Sequence, residues 1–327
     1  MPNIRSAAPC AQGHGRLPVC LVVTRRRWLQ VASLLVAAGV GGDPLATAGS
    51  ATDLPAVEAR VYKAVPGREL RLFVHQPAPS AAKHRRPALL MIHGGGWVGG
   101  GVSVFEQQAR HFARRGMVCA VMEYRLLDKE NLDPPLICIQ DARSAMRWLR
   151  AHADELGVDS SRIAAMGASA GGHLAAFLGM MEGCDDPTDD LKISARAQAA
   201  LLLNPVVHNG PGEWGYGYKR TREHYRTYSP FHNVTTHAAP TIVFLGTKDK
   251  LIPAAMIEEF ATTLREAGAR CDLHLYEGQG HSFFNARNEA GKYFHLTLEA
   301  SDAFLVSLGW ISPQANTAPL PAHPSGN

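Results

Sequence analysis

RIAAMGASAGGHLAAFLGM, residues 162–180, joins an apolar run to a second run of helical character through a cluster of small residues. The first seven residues are typical of a buried strand, and the run after Ser169 is typical of a helix. Between them, residues 167–171 read Gly-Ala-Ser-Ala-Gly and match the G-x-S-x-G turn, a sharp strand-to-helix connection. Bulky side chains two residues either side of the serine would clash in this turn, so Gly167 and Gly171 fit it. The stretch predicts a serine exposed at the edge of a sheet.

Seven further apolar runs are typical of strands, and helices separate most of them. Together with residues 162–168, the predicted strands are 59–65, 68–77, 88–93, 117–126, 197–206, 241–249 and 271–278. Apolar strands that alternate with helices imply a mostly parallel sheet covered on both faces, so the predicted fold class is α/β with eight strands. Ligands of such sheets bind beyond the carboxyl ends of the strands. Asp133 is predicted to cap the long helix that ends near His152.

Three segments of different composition divide the 327-residue chain. Residues 1–48 have the pattern of an export signal, because consecutive arginines at 25–27 precede a short apolar run and the small-x-small sequence Ala-Thr-Ala. The arginines before a bulky apolar residue resemble a twin-arginine signal, and we expect a periplasmic or secreted protein. An ordinary secretory signal or an uncleaved anchor are the alternatives. Residues 49–311 are predicted to form a single domain, and residues 312–327 a disordered tail.

The positive charge of the chain is concentrated near its N-terminus. The whole chain has 33 Lys and Arg against 29 Asp and Glu, a formal net charge of +4. Residues 1–48 contain five arginines and one acid, Asp43, so the remainder is close to neutral. A neutral body gives no electrostatic reason to expect nucleic acid or a stable membrane partner. The oligomeric state is left open.

The sequence gives no sign of a metal or cofactor site. Cysteines and histidines lack the spacing of metal ligands, so no metal is expected. The glycine-rich loop after the third predicted strand matches neither nucleotide-binding pattern, G-x-G-x-x-G or G-x-x-x-x-G-K-[ST], and no cofactor is expected. Whether any of Cys119, Cys138, Cys184 and Cys271 form a disulfide is left open.

A serine nucleophile needs a base and an acid, and both follow strands of the predicted sheet. His281, in a glycine-flanked loop after the last strand, is the predicted base. Asp249, after the penultimate strand, is the predicted acid that orients the histidine. The chain order Ser, Asp, His is the order of one known hydrolase architecture. Asp272 and Glu277 are weaker alternatives, because they lie within or at the end of the last strand.

The sequence His-Gly-Gly-Gly-Trp at residues 93–97 is the candidate oxyanion hole. Glycines let a backbone approach a substrate closely, so the amides of Gly94 and Gly95 are expected to donate to the negative oxygen of a tetrahedral intermediate. The amide of Ala170, directly after the serine, is the third expected donor. His93 is expected to hold the loop by hydrogen bonds.

These motifs resemble the α/β-hydrolase superfamily over about residues 61–308, in the segments MIHGGGW, EYRL, DARSAMRWLR, GASAGGHLA, GTKDKLIP and GQGHSFFN. More narrowly, the chain is similar to hormone-sensitive-lipase-like and acetyl-xylan-esterase-like (BD-FAE-like) carboxylesterases. The resemblance implies the same nucleophile, acid, base and oxyanion donors, with Arg125 and Asp141 as a structural pair. The lipase-like branch usually has an acidic residue and an asparagine where this chain has Ala168 and His173, which favours the short-acyl branch.

The expected function is a serine carboxylesterase that acts on short-chain, above all acetyl, esters of small molecules or carbohydrates. The alternatives are an arylformamidase-type amidase and a non-catalytic binding protein with a hydrolase fold. Trp97, Trp214 and Tyr216 are candidates for the substrate pocket, because aromatic faces suit sugar rings.

Overall fold

The computed structural model describes residues 55–79, 84–212 and 217–313, all within the compact unit Gly49–Asn327. The predicted export signal and nearly all of the predicted tail therefore lie outside the described residues. The eight strands are β1 (Glu58–Val65), β2 (Arg68–His75), β3 (Arg86–Ile92), β4 (Val118–Met122), β5 (Val158–Ala168), β6 (Ala199–Leu203), β7 (Thr241–Gly246) and β8 (Cys271–Tyr276).

The strands form one mostly parallel sheet in the order β1-β2-β4-β3-β5-β6-β7-β8. The contacts of β2 with β1 and with β4 are antiparallel, and every pairing from β4 to β8 is parallel. The central strands are continuous runs of buried apolar residues, as a sheet covered on both faces requires. The predicted α/β fold with eight strands is confirmed.

Helices cover both faces of this sheet. The α-helices are α1 (Glu106–Arg114), α2 (Leu136–Ala151), α3 (Ala153–Leu156), α4 (Ala170–Met180), α5 (Tyr218–Thr221), α6 (Ala254–Glu266) and α7 (Lys292–Ser307). Short 3₁₀ segments span Val102–Phe105, Arg222–Thr227, Pro230–Asn233 and Asn288–Gly291, the last of which is kinked at Glu289 and Ala290.

The start of α2 corrects one prediction. The helix begins at Leu136 with Pro135 as its first flanking residue, so Asp133 is not the cap. Residues that precede a proline are biased away from helical backbone, and Asp133 precedes Pro134, which itself precedes Pro135. The Asp133 carboxylate instead accepts a hydrogen bond of 2.6 Å from the side chain of Asn131.

Two hydrophobic layers hold the sheet, one on each face. Alternate residues of β3 enter different layers: Leu90 and Ile92 pack with apolar residues of α2, α3, α4 and α6, whereas Leu89 and Met91 pack with α1 and α7. Each fully buried large side chain contributes roughly 1.5–3 kcal/mol to the free energy of unfolding. These layers fix the carboxyl ends of the central strands, where the candidate site lies.

A buried ion network joins the first strand to α2. Asp141, which has no exposed surface, lies with its carboxylate 2.6 Å from Arg125 Nη2 and 3.0 Å from Lys63 Nζ. Lys63 also lies 2.7 Å from Asp186 Oδ2. Because a buried carboxylate is costly without partners, the two cations make Asp141 tolerable in the core. This position agrees with the structural role expected for Arg125 and Asp141.

Cys119, Cys138, Cys184 and Cys271 are free thiols, three of them buried. Over residues 55–79, 84–212 and 217–313, no group of His, Cys, Asp or Glu side chains is arranged to hold a metal ion. In the same part of the chain, no helix combines the length and apolar character needed to cross a membrane.

Candidate active site

The turn between β5 and α4 has the geometry of a nucleophile elbow. Ser169 has φ 53° and ψ −118°, a backbone conformation that non-glycine residues rarely adopt and that is typical of strained functional sites. A Cβ atom at Gly171 would lie 2.0 Å from the carbonyl oxygen of Ile92, and one at Gly167 would lie 2.1 Å from the Gly171 oxygen. Both positions therefore require glycine, as the sequence pattern predicts.

Backbone hydrogen bonds fix the Ser169 turn to the end of β6. The Ser169 amide donates to the Leu203 carbonyl over 2.9 Å, and the Ser169 carbonyl accepts from the amides of Val206 and His173. Ser169 as a whole is 9 % exposed, and it lines the cavity described below. Ala170 is the first residue of α4, so its amide is among those without an intrahelical acceptor.

The glycine loop after β3 packs directly against this turn. A Cβ atom at Gly94 would lie 2.8 Å from the Ala168 oxygen and 3.2 Å from Ser169 Cβ, so only glycine allows this approach. Gly95 has φ 115°, a value that favours glycine. The buried ring of His93 donates from Nδ1 to the Gly94 carbonyl oxygen over 2.8 Å and stacks on Tyr124. The structure thus brings the three predicted oxyanion donors to the same end of the sheet as the serine.

His281 and Asp249 form a hydrogen-bonded pair. His281 Nδ1 lies 2.7 Å from Asp249 Oδ2, and the Asp249 side chain has no exposed surface. The other carboxylate oxygen of Asp249 accepts from the amides of Leu251 and Ile252. The alternative acid Asp272 is instead paired with Arg270. Of the three carboxylates considered from the sequence, Asp249 is the one that contacts His281.

Asn204 is a site residue that the sequence analysis missed. Its buried side chain donates from Nδ2 to His281 Nε2 over 3.2 Å, and its Oδ1 accepts from the Ser282 amide over 3.3 Å. Its φ of 35° is unusual for a non-glycine residue. The available signal was its position, because Asn204 directly follows the apolar strand β6, as His281 and Asp249 follow their own strands.

A cavity of about 630 Å³ connects these groups. Its wall includes Ser169, His281, Asn204 and the glycine loop. Within the described residues, the Ser169 hydroxyl makes no hydrogen bond to His281, whose Nε2 contacts Asn204 instead. Such contacts are often long in ligand-free enzymes and tighten when substrate binds.

The structure describes only one of the three residues predicted to line the substrate pocket. Trp97 lines the cavity but is only 2 % exposed, so it forms part of the cavity wall and offers little open ring surface to a substrate. Its ring meets the fully buried ring of His173 edge-on, with centroids 5.3 Å apart. Burial lowers the pKa of His173 to about 4, and its Nε2 bonds to the Tyr228 carbonyl. Trp214 and Tyr216 lie outside the described residues.

The arrangement supplies a strained serine, an imidazole whose Nδ1 is held by a buried carboxylate, and a glycine loop against the serine. These are the parts needed for acyl transfer, in which a base activates a hydroxyl and backbone amides stabilise an oxyanion.

Comparisons with known proteins agree with this geometry. Residues 76–210 match the BD-FAE family model, and residues 216–306 match the dienelactone hydrolase family model. Esterase LipC of Mycobacterium tuberculosis is 30 % identical over 60 % of this chain and 53 % of its own length. A probable isoprenylcysteine alpha-carbonyl methylesterase of Arabidopsis thaliana is 26 % identical over 68 % of this chain and 50 % of its own. The chain thus spans about half the length of the curated relatives it matches.

Solved structures give a fuller match. Esterase 2 of Thermogutta terrifontis, phosphoramylated by tabun, is 38 % identical, and the match covers 80 % of this chain and 97 % of that one with a TM-score of 0.74. The propionate-bound and butyrate-bound forms of the same esterase match equally well, each at 38 % identity with a TM-score of 0.74. Because this identity extends over almost the whole of a solved esterase, the chain belongs to the esterase family of the α/β-hydrolase fold.

Proposed function

We propose that the protein is a serine carboxylesterase that hydrolyses short-chain acyl esters through an acyl-enzyme. The observation that supports this most is the 2.7 Å hydrogen bond between His281 and Asp249 on the cavity that Ser169 also lines. A histidine whose Nδ1 is bound to a buried carboxylate presents a basic Nε2, which is the atom that a serine nucleophile needs.

In the proposed reaction, the Ser169 hydroxyl attacks the ester carbonyl while His281 Nε2 takes its proton. The amides of Gly94, Gly95 and Ala170 stabilise the oxyanion of the tetrahedral intermediate. Collapse breaks the bond to the alcohol, which leaves with the proton from His281. Water then attacks the acyl-enzyme by the same route and releases the acid and the free serine.

Asn204 has to release His281 Nε2 for this proton transfer, since one lone pair cannot accept from both groups. The Asn204 bond of 3.2 Å is at the long end for a nitrogen donor and is correspondingly weak. We propose that substrate entry lets His281 turn from Asn204 to Ser169.

Small acyl groups suit the proposed site. The Thermogutta relative was solved with propionate and with butyrate, both short acids. An acetyl group on a carbohydrate is one natural candidate, and the predicted export of the chain favours a substrate outside the cytoplasm. Neither the fold nor the predicted export signal defines the acyl pocket, so the preferred length of the acyl chain has to be measured.

The first test is hydrolysis of p-nitrophenyl acetate, butyrate and octanoate by the wild type and by Ser169→Ala. We expect the wild type to prefer acetate or butyrate and the variant to lose about 10⁴-fold or more in kcat. Paraoxon, which phosphorylates the Thermogutta relative, is expected to modify the wild type once and to leave Ser169→Ala unmodified in intact-protein mass spectra.

Other outcomes would replace the proposal. Turnover only of N-formyl aromatic amides would identify an amidase, and no turnover or labelling by pure protein would favour a binding protein. Undiminished esterase activity of Ser169→Ala would exclude Ser169 as the nucleophile.

A further inference from the structure

The mouth of the active-site cavity combines exposed apolar side chains with cations. Val104, Leu132 and Leu251 line the cavity and are 39 %, 46 % and 44 % exposed. They are three of the nine large hydrophobic residues that are exposed in the described part of the chain. Lys219 and Arg220 line the same cavity. We use "mouth" below for these five residues.

The two cations have unused hydrogen-bond donors. Among the described residues, the Lys219 ammonium forms no ion pair or hydrogen bond. The Arg220 guanidinium donates from Nη1 to the carbonyls of Asn131 and Asp133, over 2.8 and 3.2 Å. These bonds hold the guanidinium by one nitrogen and leave its Nε and Nη2 donors without a described protein partner.

The charge at the mouth is not balanced by acids of the cavity. No Asp or Glu occurs among the described residues that line it. The segment Tyr218–Thr227 contains Lys219, Arg220, Arg222 and Arg226 against the single acid Glu223. Of these cations, Lys219 and Arg220 line the cavity. The segment that Arg220 contacts carries Asp128, Glu130 and Asp133, none of which lines the cavity.

From these features we infer that the alcohol part of the ester substrate is an apolar body that bears an anionic group, such as a carboxylate. The inference rests on the proposed function: if a short acyl group occupies the deep part of the cavity beside Ser169, the alcohol part extends to the mouth. There its apolar body covers Leu132 and Leu251, and its anion meets Lys219 and Arg220. A neutral acetylated sugar offers neither feature.

Three acetate esters of similar size test the charge preference: 4-acetoxybenzoate, its neutral methyl ester, and the cationic 4-acetoxy-N,N,N-trimethylanilinium. Each kcat/KM is divided by the hydroxide-catalysed rate constant of the same ester, which removes differences in leaving-group reactivity. We expect the wild type to favour the anion over the cation by about tenfold or more at low salt, and the ratio to shrink at high salt because exposed charges are screened.

Variants at the mouth assign the preference to residues. Lys219→Gln combined with Arg220→Gln is expected to reduce the anion-to-cation ratio about tenfold. The neutral ester reports any loss common to all three substrates that follows from removal of the Arg220 bonds to the Asn131 and Asp133 carbonyls. Arg222→Gln is the matched control, because Arg222 lies in the same basic segment but does not line the cavity. Leu132→Asn is expected to lower kcat/KM for all three aryl esters relative to kcat/KM for ethyl acetate.

Equal normalised rates for the three esters, or an equal loss in Arg222→Gln, would overturn the inference while leaving the esterase proposal intact. Failure of the esterase proposal would be visible separately, as no turnover of any ester. In that case calorimetric binding of 4-acetoxybenzoate and of its methyl ester to the wild type still decides whether the mouth prefers an anion. Tighter binding of the anion that the double variant loses supports it, and equal binding contradicts it.

Discussion

The two halves of the candidate site are built in different ways. On the serine side, backbone atoms define the geometry: Gly167 and Gly171 have no room for a Cβ atom, and the Ser169 amide and carbonyl are both bonded to residues at the end of β6. On the histidine side, side chains define it, since His281 is held by Asp249 at Nδ1 and by Asn204 at Nε2.

This difference has a functional meaning. A nucleophile has to meet a carbonyl carbon in one orientation, so a turn fixed by backbone bonds suits it. A base has to exchange partners during the reaction, and the 3.2 Å bond from Asn204 to His281 can be broken and remade while the 2.7 Å bond to Asp249 is kept. We therefore expect substitutions of the serine-side glycines Gly167 and Gly171 to affect folding, and substitutions on the histidine side to affect rate and pH dependence.

The largest expected effect is that of Gly171→Ala. Its Cβ atom would lie 2.0 Å from the Ile92 oxygen and 2.4 Å from the His93 oxygen, both backbone atoms that can move only with β3 and the glycine loop. We expect a loss of about 3 kcal/mol or more in the free energy of unfolding, measured by urea denaturation, together with loss of activity.

Gly179→Ala is the control in the same helix. A Cβ atom there would lie 3.4 Å from Ala200 Cβ, close to ordinary contact distance, and alanine is the better helix former by about 1 kcal/mol. Equal stability of the two variants would contradict the idea that backbone packing defines the serine side.

An intermediate effect is expected at Asn204. Asn204→Ala removes the acceptor that holds the Ser282 amide beside His281, and this loss of positioning is expected to lower kcat about tenfold, although the competing contact with His281 Nε2 is removed as well. Because Asn204 is buried and loses a bonded acceptor, the free energy of unfolding is expected to fall by about 1–3 kcal/mol. Asn204→Asp replaces the amide by an acceptor of similar shape, and its negative charge favours protonated His281. The acid limb of the pH–rate profile is therefore expected to move to higher pH in Asn204→Asp.

The two Asn204 variants separate a positioning role from a structural one. A structural role alone would lower the rate of both variants without moving either pH–rate profile. Unchanged kcat and an unchanged profile in both variants would show that the histidine side does not depend on Asn204.

The smallest effect at neutral pH is expected at His173, which packs behind Trp97. Burial lowers the pKa of this imidazole to about 4, whereas an unfolded histidine titrates near 6.5. As the pH falls from about 6.5 to about 4, the unfolded chain binds a proton that the native chain does not, so His173 reduces stability in this window and has no such effect above it. The full loss is of the order of 3 kcal/mol.

His173→Gln keeps a side-chain donor near the Tyr228 carbonyl but removes the titration. We expect the variant to become more stable relative to the wild type as the pH falls from 7 to 4. Urea denaturation at each pH measures the two free energies of unfolding. If the difference in free energy of unfolding did not depend on pH, it would contradict the lowered pKa of His173.

The sequence predicted the backbone-built half of the site better than the side-chain half. Gly167, Gly171 and the apolar strands leave a pattern of residue types, because backbone crowding and burial exclude most alternatives. Asn204 leaves no such pattern, since its role depends on which loop the fold brings opposite it. The helix start at Leu136 was misjudged because two consecutive prolines override the capping preference of Asp133. The predicted roles of Ser169, Asp249 and His281 remain predictions until the variants are measured.

The ion network around Asp141 also limits how far the protein can be shortened. Lys63 lies in the first strand at one edge of the sheet, yet it supplies one of the two cations beside that fully buried carboxylate. Shortened versions for expression or crystallisation that begin beyond Lys63 would therefore lose a counter-charge from the core, at a cost of about 3–5 kcal/mol in the free energy of unfolding.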